Sequence, residues 1–232
     1  MKVEVLDQGY VRLVRANGTE MDIVNAARVS YDKESDELTD KDIKLLQFLA
    51  REGHTSPFRH VGATFEVYAP LMVARQWFKY VVGSSNDDGW NESSRRYITE
   101  EVNFYTPKAD EWRSAPENSK QGSGQPLPAD EGEDLTYNLL HLIELGETLY
   151  NQAIARGVAP EQARLFLPAY GMYVRWRWTA TLQSIAHLIN QRVAKDSQYE
   201  FQQYAKGVHA LIEPKYKNSL PYLLTKEARE SL

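Results

Sequence analysis

The feature that most constrains this chain is the absence of cysteine from its 232 residues. No disulfide, thiolate zinc site or iron–sulfur cluster can therefore stabilise the fold, and no cysteine can act as a nucleophile. A chain of this length can bury a substantial core, and 42% of its residues are hydrophobic. We therefore expect one globular domain that spans residues 1–232.

Charge and hydropathy argue against two broad classes of function. The net charge of −5 is opposite to the basic face that broad nucleic-acid binding requires, although it leaves room for a local basic pocket around one phosphate. No apolar run approaches the roughly 18 residues of a membrane span, and the N-terminus lacks the apolar core of a signal peptide. The expectation is a cytoplasmic protein without nucleic-acid or membrane partners.

Hydrophobic periodicity and turn residues predict a mixture of strands and helices. Strands are expected as a pair over residues 2–14 and over Ala63–Tyr68. Helices are expected from about Thr39, after Pro70, over Leu135–Ile154, from Ala159, over about Val174–Asn190 and over about Asp196–Lys215. The polar segments 83–94 and 107–133 are predicted to be loops, the second of them an exposed excursion.

Three clusters of polar side chains are candidates for a functional site. The first, Gly53–His60, holds two histidines and an arginine in a turn-rich segment. The same composition is typical of a capped turn with solvated side chains. No set of His, Asp and Glu residues has the spacing of zinc ligands, so no metal site is predicted.

The second cluster consists of Arg75–Tyr80 and, beyond a polar loop, Asn91–Tyr97. Two basic groups, two hydroxyls and backbone amides in one loop are typical of a phosphate cradle. Arginine suits that site because its planar fork matches two phosphate oxygens. The alternative is a solvated loop that leads into a strand.

The third cluster lies on the helix predicted over residues 174–190. Its apolar stripe has the spacing i, i+3, i+4, i+7 and consists of Leu182, Ile185, Ala186 and Ile189. Gln183, His187 and Asn190 share another face, which on most helices is simply the solvated side. Arginines within and near this segment add more positive charge than a structural role requires: Arg164, Arg175, Arg177 and Arg192.

Together these clusters resemble the flavin-dependent thymidylate synthase family. The resemblance extends from Val3 to about Tyr204, and the order and spacing of its motifs make it specific. The stretches that carry it are Asn25–Ser30, Gly53–His60, Ala74–Phe78, Asn91–Tyr97 and Gln202–Tyr204.

This resemblance implies an α/β (α+β) fold with a small mixed or antiparallel sheet and long flanking helices. It implies a homotetramer whose active sites use several subunits. It also implies FAD as cofactor, NADPH as reductant and methylenetetrahydrofolate as one-carbon donor, with dUMP converted to dTMP by methylation of uracil C5.

The resemblance also assigns roles to matching residues. Arg192 matches the arginine that contacts the pyrimidine and favours its ionisation at N3, and it is the predicted catalytic residue. The other positions expected to bind the nucleotide are Gln76, Lys79, Glu92, Ser93, Ser94, Arg95, Arg96 and Arg164, with Ser93 and Arg95 contributing backbone amides. The positions expected to contact the flavin are His54, Ser56, Lys79, Tyr80, Val81, Asn91, Glu92, Thr181, Gln183 and His187. Thr181 and Gln183 stand where the family usually has Asn and Arg.

One motif departs from the family pattern. The family signature is Arg-His-Arg, seven residues and then Ser, whereas this chain has Lys79-Tyr80-Val81 and twelve residues before Ser94. The departure leaves three interpretations open. The chain is a dTMP-forming flavin enzyme, a variant that acts on UMP or transfers another one-carbon unit, or a paralogue that binds nucleotide or flavin without turnover.

The required chemistry points to a fixed positive charge. Uracil C5 is a poor nucleophile until the ring becomes enolate-like, and this chain has no cysteine that could add to C6. A hydride from reduced flavin, or polarisation of the ring by a cation at N3–O4, must take that role. Arg192 is the candidate cation, and His54 and His187 are candidates for a proton or flavin-tuning network.

Overall fold

The computed structural model describes residues 1–31, 33–81, 89–93, 102–117 and 122–232. Its centre is a five-stranded antiparallel sheet with the strand order β1-β2-β3-β5-β4. The strands are β1 Lys2–Val5, β2 Gly9–Asn17, β3 Gly62–Pro70, β4 Trp90–Glu92 and β5 Tyr173–Thr181. The sheet and its flanking helices confirm the predicted α+β class.

The α-helices of the described residues range from single turns to one helix of 27 residues. They are α1 Glu20–Arg28, α2 Asp40–Arg51, α3 Leu71–Trp77, α4 Ala129–Ala155, α5 Pro160–Ala163, α6 Leu182–Arg192, α7 Tyr199–Ile212, α8 Leu220–Leu223 and α9 Lys226–Ser231. Within the described ranges, no helix combines the length and the hydropathy needed to cross a membrane.

The start of α2 follows directly from its capping residues. The Thr39 hydroxyl accepts a hydrogen bond from the Asp42 amide at 3.4 Å, and the Asp42 carboxylate accepts one from the Thr39 amide at 2.8 Å. Asp42 is buried and also pairs with Arg28 of α1. Burial alone would raise the pKa of Asp42, but the hydrogen bonds from Thr39 and the charge of Arg28 hold it below its usual value. The ion pair therefore ties α1 to α2.

The helix predicted from about Val174 is wrong in its first half, because residues 173–181 form β5. This strand pairs with β3 along its whole length, with Trp176 opposite Val67 and Trp178 opposite Phe65. Its side chains alternate between buried and more exposed positions, the period of a strand and not of a helix. The apolar stripe predicted for the second half is confirmed, since Leu182, Ile185, Ala186 and Ile189 are all buried in α6.

The polar segment 83–94 is not entirely a loop. Trp90–Glu92 form β4, which pairs with β5 so that Trp90 lies opposite Trp178. The Trp90 ring also stacks on Trp176, with centroids 5.0 Å apart. This aromatic contact holds β4 in the sheet. The strand was predicted to be part of a loop because Gly, Ser, Asn and Asp residues surround it in the sequence.

The described parts of the segment 107–133 pack against helices, so this segment is only partly the exposed excursion that its composition predicted. The Trp112 indole donates a hydrogen bond to Thr136 Oγ1 of α4 at 2.8 Å, and the Arg113 guanidinium lies 4.0 Å from the centre of the Tyr199 ring. The long helix α4 begins at Ala129, earlier than the predicted Leu135. A Cβ atom on Gly132 would lie 1.8 Å from the Ala109 carbonyl oxygen, so glycine permits this close approach.

The C-terminal segment closes over one end of the sheet. The predicted last helix is confirmed with the narrower bounds of α7, and α8 and α9 follow it without having been predicted. Tyr216 is completely buried, and its hydroxyl lies 2.9 Å from the Gly62 carbonyl oxygen and 3.0 Å from that of Asn17. One phenol therefore joins the C-terminal segment to the end of β2 and the start of β3.

We expect Tyr216→Phe to lower the free energy of unfolding by about 1–2 kcal/mol, because it leaves buried carbonyl groups without their donor. Urea denaturation followed by circular dichroism measures this loss. The control Tyr222→Phe removes a hydroxyl from a half-buried residue of α8 and should change stability by only a few tenths of a kcal/mol. Equal stability of Tyr216→Phe and the natural protein would contradict this role.

Candidate functional site

The short helix α3 separates two spaces that hold four of the predicted nucleotide residues, Glu92 and Arg164 in one and Gln76 and Arg192 in the other. Its position is fixed by Trp77, which is fully buried against Trp176, Trp178 and Phe201 at ring distances of 5.4, 5.5 and 5.2 Å. One side of α3 lines an open groove, and Gln76 on another side faces the end of α6.

The groove beside α3 has a volume of about 700 Å³. It brings Glu92 of β4 together with Arg164, which follows α5, and with Arg75 of α3. Phe78 and Trp90 contribute aromatic walls, and Phe78 is half exposed. Two guanidinium groups beside aromatic surfaces suit an anionic ligand that carries a planar ring.

Arg192 lies at the last residue of α6, on the other side of α3. Its Nε donates a hydrogen bond to the Tyr80 hydroxyl, and its Nη1 donates to Gln76 Oε1 at 2.9 Å. The guanidinium also lies 4.9 Å from the centre of the Phe201 ring and 5.4 Å from that of Tyr80. These contacts hold the charge in one place while leaving other N–H donors of the group for a ligand.

Tyr80 is buried, whereas its neighbours Lys79 and Val81 are exposed. Its backbone carbonyl accepts a hydrogen bond from Ser184 Oγ at 3.0 Å, and its ring lies 5.7 Å from that of His187. Burial raises the pKa of the Tyr80 phenol, and the opposing effect of Arg192 is smaller. The phenol is therefore neutral at physiological pH and can accept the hydrogen bond from Arg192.

Several predicted flavin residues gather at the start of α6. The Thr181 side chain caps this helix by accepting a hydrogen bond from the Ser184 amide at 3.2 Å. Gln183 Oε1 accepts a hydrogen bond from Arg59 Nε at 2.7 Å, in the turn that also contains the exposed Ser56. Thr181 thus has a clear structural role, and Gln183 joins α6 to the first predicted cluster.

His54 lies in a different space, a cleft of about 790 Å³ between α1 and α2. Its ring stacks on Phe48 with centroids 6.2 Å apart. Tyr31, which is 75% exposed, and Lys33 also line this cleft. The structure therefore divides the described site residues among four places on one chain: the groove, the Arg192 side of α3, the start of α6 and this cleft.

The remaining predicted positions differ in their exposure and in their hydrogen-bond partners. Asn91 is exposed in β4, opposite Arg177 of β5. The Ser93 amide, which was expected to bind substrate, donates a hydrogen bond to the Arg175 carbonyl at 2.8 Å. Asn190 has a structural contact, because its Oδ1 accepts a hydrogen bond from the Thr225 amide at 2.8 Å. Ser94, Arg95 and Arg96 lie outside the described residues.

Sequence reasoning missed other residues that surround these spaces. Gln198 and Glu200 reach the Arg192 side of α3 from the start of α7, more than 100 residues away along the chain from Gln76. No local pattern could indicate that contact. Arg75 and Phe78 belong to the second predicted cluster, which gave them no individual role, and both are exposed at the end of α3.

Comparison with known proteins connects this geometry to a family. The family described as Thymidylate synthase complementing protein matches residues 12–216. A flavin-dependent thymidylate synthase from Thermotoga neapolitana is 35% identical over 216 residues, which cover 93% of this chain and 90% of that protein. Its counterpart from Thermus thermophilus is 36% identical over 213 residues, covering 92% of this chain and 74% of that protein.

The fold is also shared with solved structures. The UMP/dUMP methylase PolB from Streptomyces cacaoi, bound with 5-Br dUMP, superposes with a TM-score of 0.79 at 24% identity and covers 95% of this chain and 96% of its own. The same methylase bound with 5-Br UMP gives a TM-score of 0.79 at 22% identity. The sequence matches along most of the chain confirm the resemblance: this protein belongs to the flavin-dependent thymidylate synthase family of enzymes, and that membership implies a flavin cofactor.

Proposed function

We propose that this protein methylates uracil C5 of dUMP to give dTMP, with FAD as cofactor, NADPH as reductant and methylenetetrahydrofolate as one-carbon donor. The observation that carries this proposal is the position of Arg192, a half-buried guanidinium held by Gln76, Tyr80 and Phe201. A chain without cysteine must activate the pyrimidine ring in another way, and such a charge can polarise it at N3–O4.

The role proposed for Arg192 follows from the electrostatics of its surroundings. Negative charge that develops at N3–O4 of uracil is stabilised most by a cation that is already in place and partly removed from water. Arg192 meets both conditions, because two of its nitrogens are hydrogen-bonded within the chain and aromatic rings cover its faces. Gln76 would present its amide beside the same ring.

The groove on the other side of α3 is the proposed site for the phosphate and sugar. Arg75 and Arg164 supply positive charge there, and Glu92 supplies an acceptor for sugar hydroxyls. Ser94, Arg95 and Arg96 follow Ser93 in the sequence just after β4, and we include their hydroxyl and guanidinium groups in the proposal on sequence grounds alone. An acidic protein would thus present a locally basic site to its nucleotide.

Ser56, two half-buried residues of α6 and the α1–α2 cleft form the proposed site for a flavin dinucleotide. The cleft volume of about 790 Å³ lies within the range of small-molecule sites, roughly 300–1,000 Å³. Tyr31 and the stacked Phe48–His54 pair offer aromatic faces, and Lys33 offers charge for a phosphate. Ser56, Gln183 and His187 would hold the flavin ring system. When bound, FAD would carry the reducing electrons of the reaction from NADPH to the substrates.

A homotetramer with shared active sites would bring these places together. The helix α4 exposes a row of apolar side chains, including Leu142 and Leu145 at 53% and 56% exposure. Leu165 and Tyr170, at 82% and 72%, are exposed farther along the chain. An apolar surface of this kind favours association with another protein surface. We therefore propose that copies of this chain associate through α4.

UMP is the second candidate substrate. The methylase that shares this fold is described as acting on UMP and dUMP. In this chain Tyr80 is the middle residue of the triplet that differs from the family signature, and it contacts Arg192 directly. A changed residue next to the proposed pyrimidine site is a reason to test both nucleotides.

We expect the purified protein to bind FAD near stoichiometry and to lose its oxidised-flavin absorbance when NADPH and dUMP are present. Addition of methylenetetrahydrofolate should then yield dTMP, measured by chromatography. Replacing dUMP with UMP in the same assay compares the two substrates. A colourless protein that takes up no added FAD would favour a non-catalytic paralogue and contradict the proposed function.

We expect Arg192→Ala to lower kcat by about 10²–10³-fold, the usual effect of removing one preorganised donor to developing negative charge. Circular dichroism should show a folded protein. Arg229→Ala provides a control because it removes an exposed guanidinium from α9 and should leave turnover unchanged. Unchanged turnover in Arg192→Ala would exclude this residue from the mechanism.

We expect the double substitution of Leu142→Glu and Leu145→Glu to dissociate the oligomer, because it places two carboxylates in the proposed interface. Analytical ultracentrifugation measures the change in mass. Dissociation should abolish turnover if active sites use more than one subunit. The control Lys217→Glu adds negative charge to an exposed site beyond α7 and should leave the assembly intact.

A further inference from the structure

A continuous chain of side-chain hydrogen bonds leads away from Arg192. Arg192 Nη1 donates to Gln76 Oε1 at 2.9 Å, and Gln76 Nε2 donates to Gln198 Oε1. Gln198 Nε2 then donates to Glu200 Oε2 at 2.9 Å. We refer to Arg192, Gln76, Gln198 and Glu200 as the polar chain.

The two ends of the polar chain fix the direction of every hydrogen bond in it. A guanidinium can only donate, and an ionised carboxylate can only accept. Each amide between them has one donor end and one acceptor end. Rotating either amide would therefore place donor against donor or acceptor against acceptor. Arg192 and Glu200 thus favour the same orientation of Gln76, in which its Oε1 faces Arg192, although three hydrogen bonds separate the two charged groups.

The polar chain also joins three parts of the fold. Gln76 belongs to α3 and Arg192 to the end of α6. Gln198 precedes α7, and Glu200 lies in its first turn. Gln202 strengthens this junction, because its Nε2 donates to the Ser197 carbonyl at 2.8 Å. The start of α7 is therefore held in a defined position when it meets α3.

Glu200 does not line the nucleotide groove. With Gln198 it lines a second cavity of about 350 Å³, whose walls include Tyr105, Trp112 and Leu139. Its influence on a pyrimidine ring at Arg192 must therefore pass through Gln198 and Gln76. Glu200 is therefore placed to position other side chains and not to contact the substrate itself.

We propose that Gln198 and Glu200 are positioning residues that orient Gln76 and Arg192 towards the pyrimidine ring of the substrate. This inference rests on the proposed function, because it assigns Arg192 to the nucleotide. Glu200 can only accept a hydrogen bond. Gln198, which hydrogen-bonds to both Glu200 and Gln76, therefore extends the same donor-to-acceptor direction from α7 to α3. Tyr80 holds Arg192 from the opposite side.

The substitution Glu200→Gln tests this directly, because it keeps the size of the side chain but allows the terminal group to donate as well as accept. Calorimetric titration of the FAD-loaded protein with dUMP measures the effect. We expect Glu200→Gln to weaken dUMP binding about tenfold, the loss that corresponds to misdirecting one charge-assisted hydrogen bond. Glu200→Asp retains an acceptor-only group and should restore most of the affinity.

A double-mutant cycle distinguishes positioning from a general structural role. If Glu200 acts through Arg192, Glu200→Gln should change dUMP affinity by less than about twofold when Arg192→Ala is already present. The matched control is Glu111→Gln, since Glu111 lines the same cavity but accepts its hydrogen bond from the Lys108 amide. We expect that control to bind dUMP as the natural protein does. Equal losses with and without Arg192 would overturn the proposal.

A crystallographic comparison keeps this test independent of the proposed function. In nucleotide-free crystals of FAD-loaded protein, Glu200→Gln should displace the Arg192 guanidinium from Gln76. An Arg192 side chain in its original place would overturn the positioning role even if the protein makes no dTMP. Absence of dTMP formation and of dUMP and UMP binding in the natural protein would instead refute the proposed function.

Discussion

Trp77 lies between the sheet and α7, with its indole edge-on to Trp176 and Trp178 and stacked on Phe201. This contact determines where α3 can be, because a helix of seven residues has too few hydrogen bonds to define its own position. With Trp77 fixed, Arg75 must face the groove and Gln76 must face Arg192. The nucleotide site proposed for this protein is thus a consequence of aromatic packing in the core. Dispersion and hydrophobic burial position the charged groups.

The sequence was most informative where structure is determined by neighbouring residues. The capping residues Thr39 and Asp42 located the start of α2, and the apolar spacing that begins at Leu182 located the buried face of α6. Residues 173–181 were misassigned because the helical period of α6 was extended backwards over a segment with the period of a strand. The pairing partner that makes β5 a central strand, β3, lies more than 100 residues earlier. Local pattern carries no information about such a partner.

The candidate site, like the fold, could be predicted only where the information lies in the sequence itself and not in contacts between distant segments. Resemblance to the family indicated Gln76, Arg164 and Arg192, and the fold places the first and third in direct contact. It indicated nothing about Gln198 and Glu200, because their contact with Gln76 depends on the angle at which α7 meets α3.

Tyr80 changes the charge next to Arg192 relative to the family signature. Where the family signature has a histidine, which can carry charge near neutral pH, this chain has a phenol, which is neutral there and whose pKa burial raises further. Arg192 therefore meets a neutral acceptor there, without a second cation to repel it.

The short strand β4 makes the two sides of the site independent of each other. Because Asn91 and Glu92 are paired in register with Arg177 and Trp176, and the Ser93 amide is bonded to the Arg175 carbonyl, β5 defines their positions. The length of the chain between Val81 and Trp90 does not define the positions of these residues. The five extra residues relative to the family signature could therefore be gained before this anchor without displacing Glu92. Such an arrangement lets evolution remodel the segment after Tyr80 while the sheet preserves the position of Glu92 in the groove.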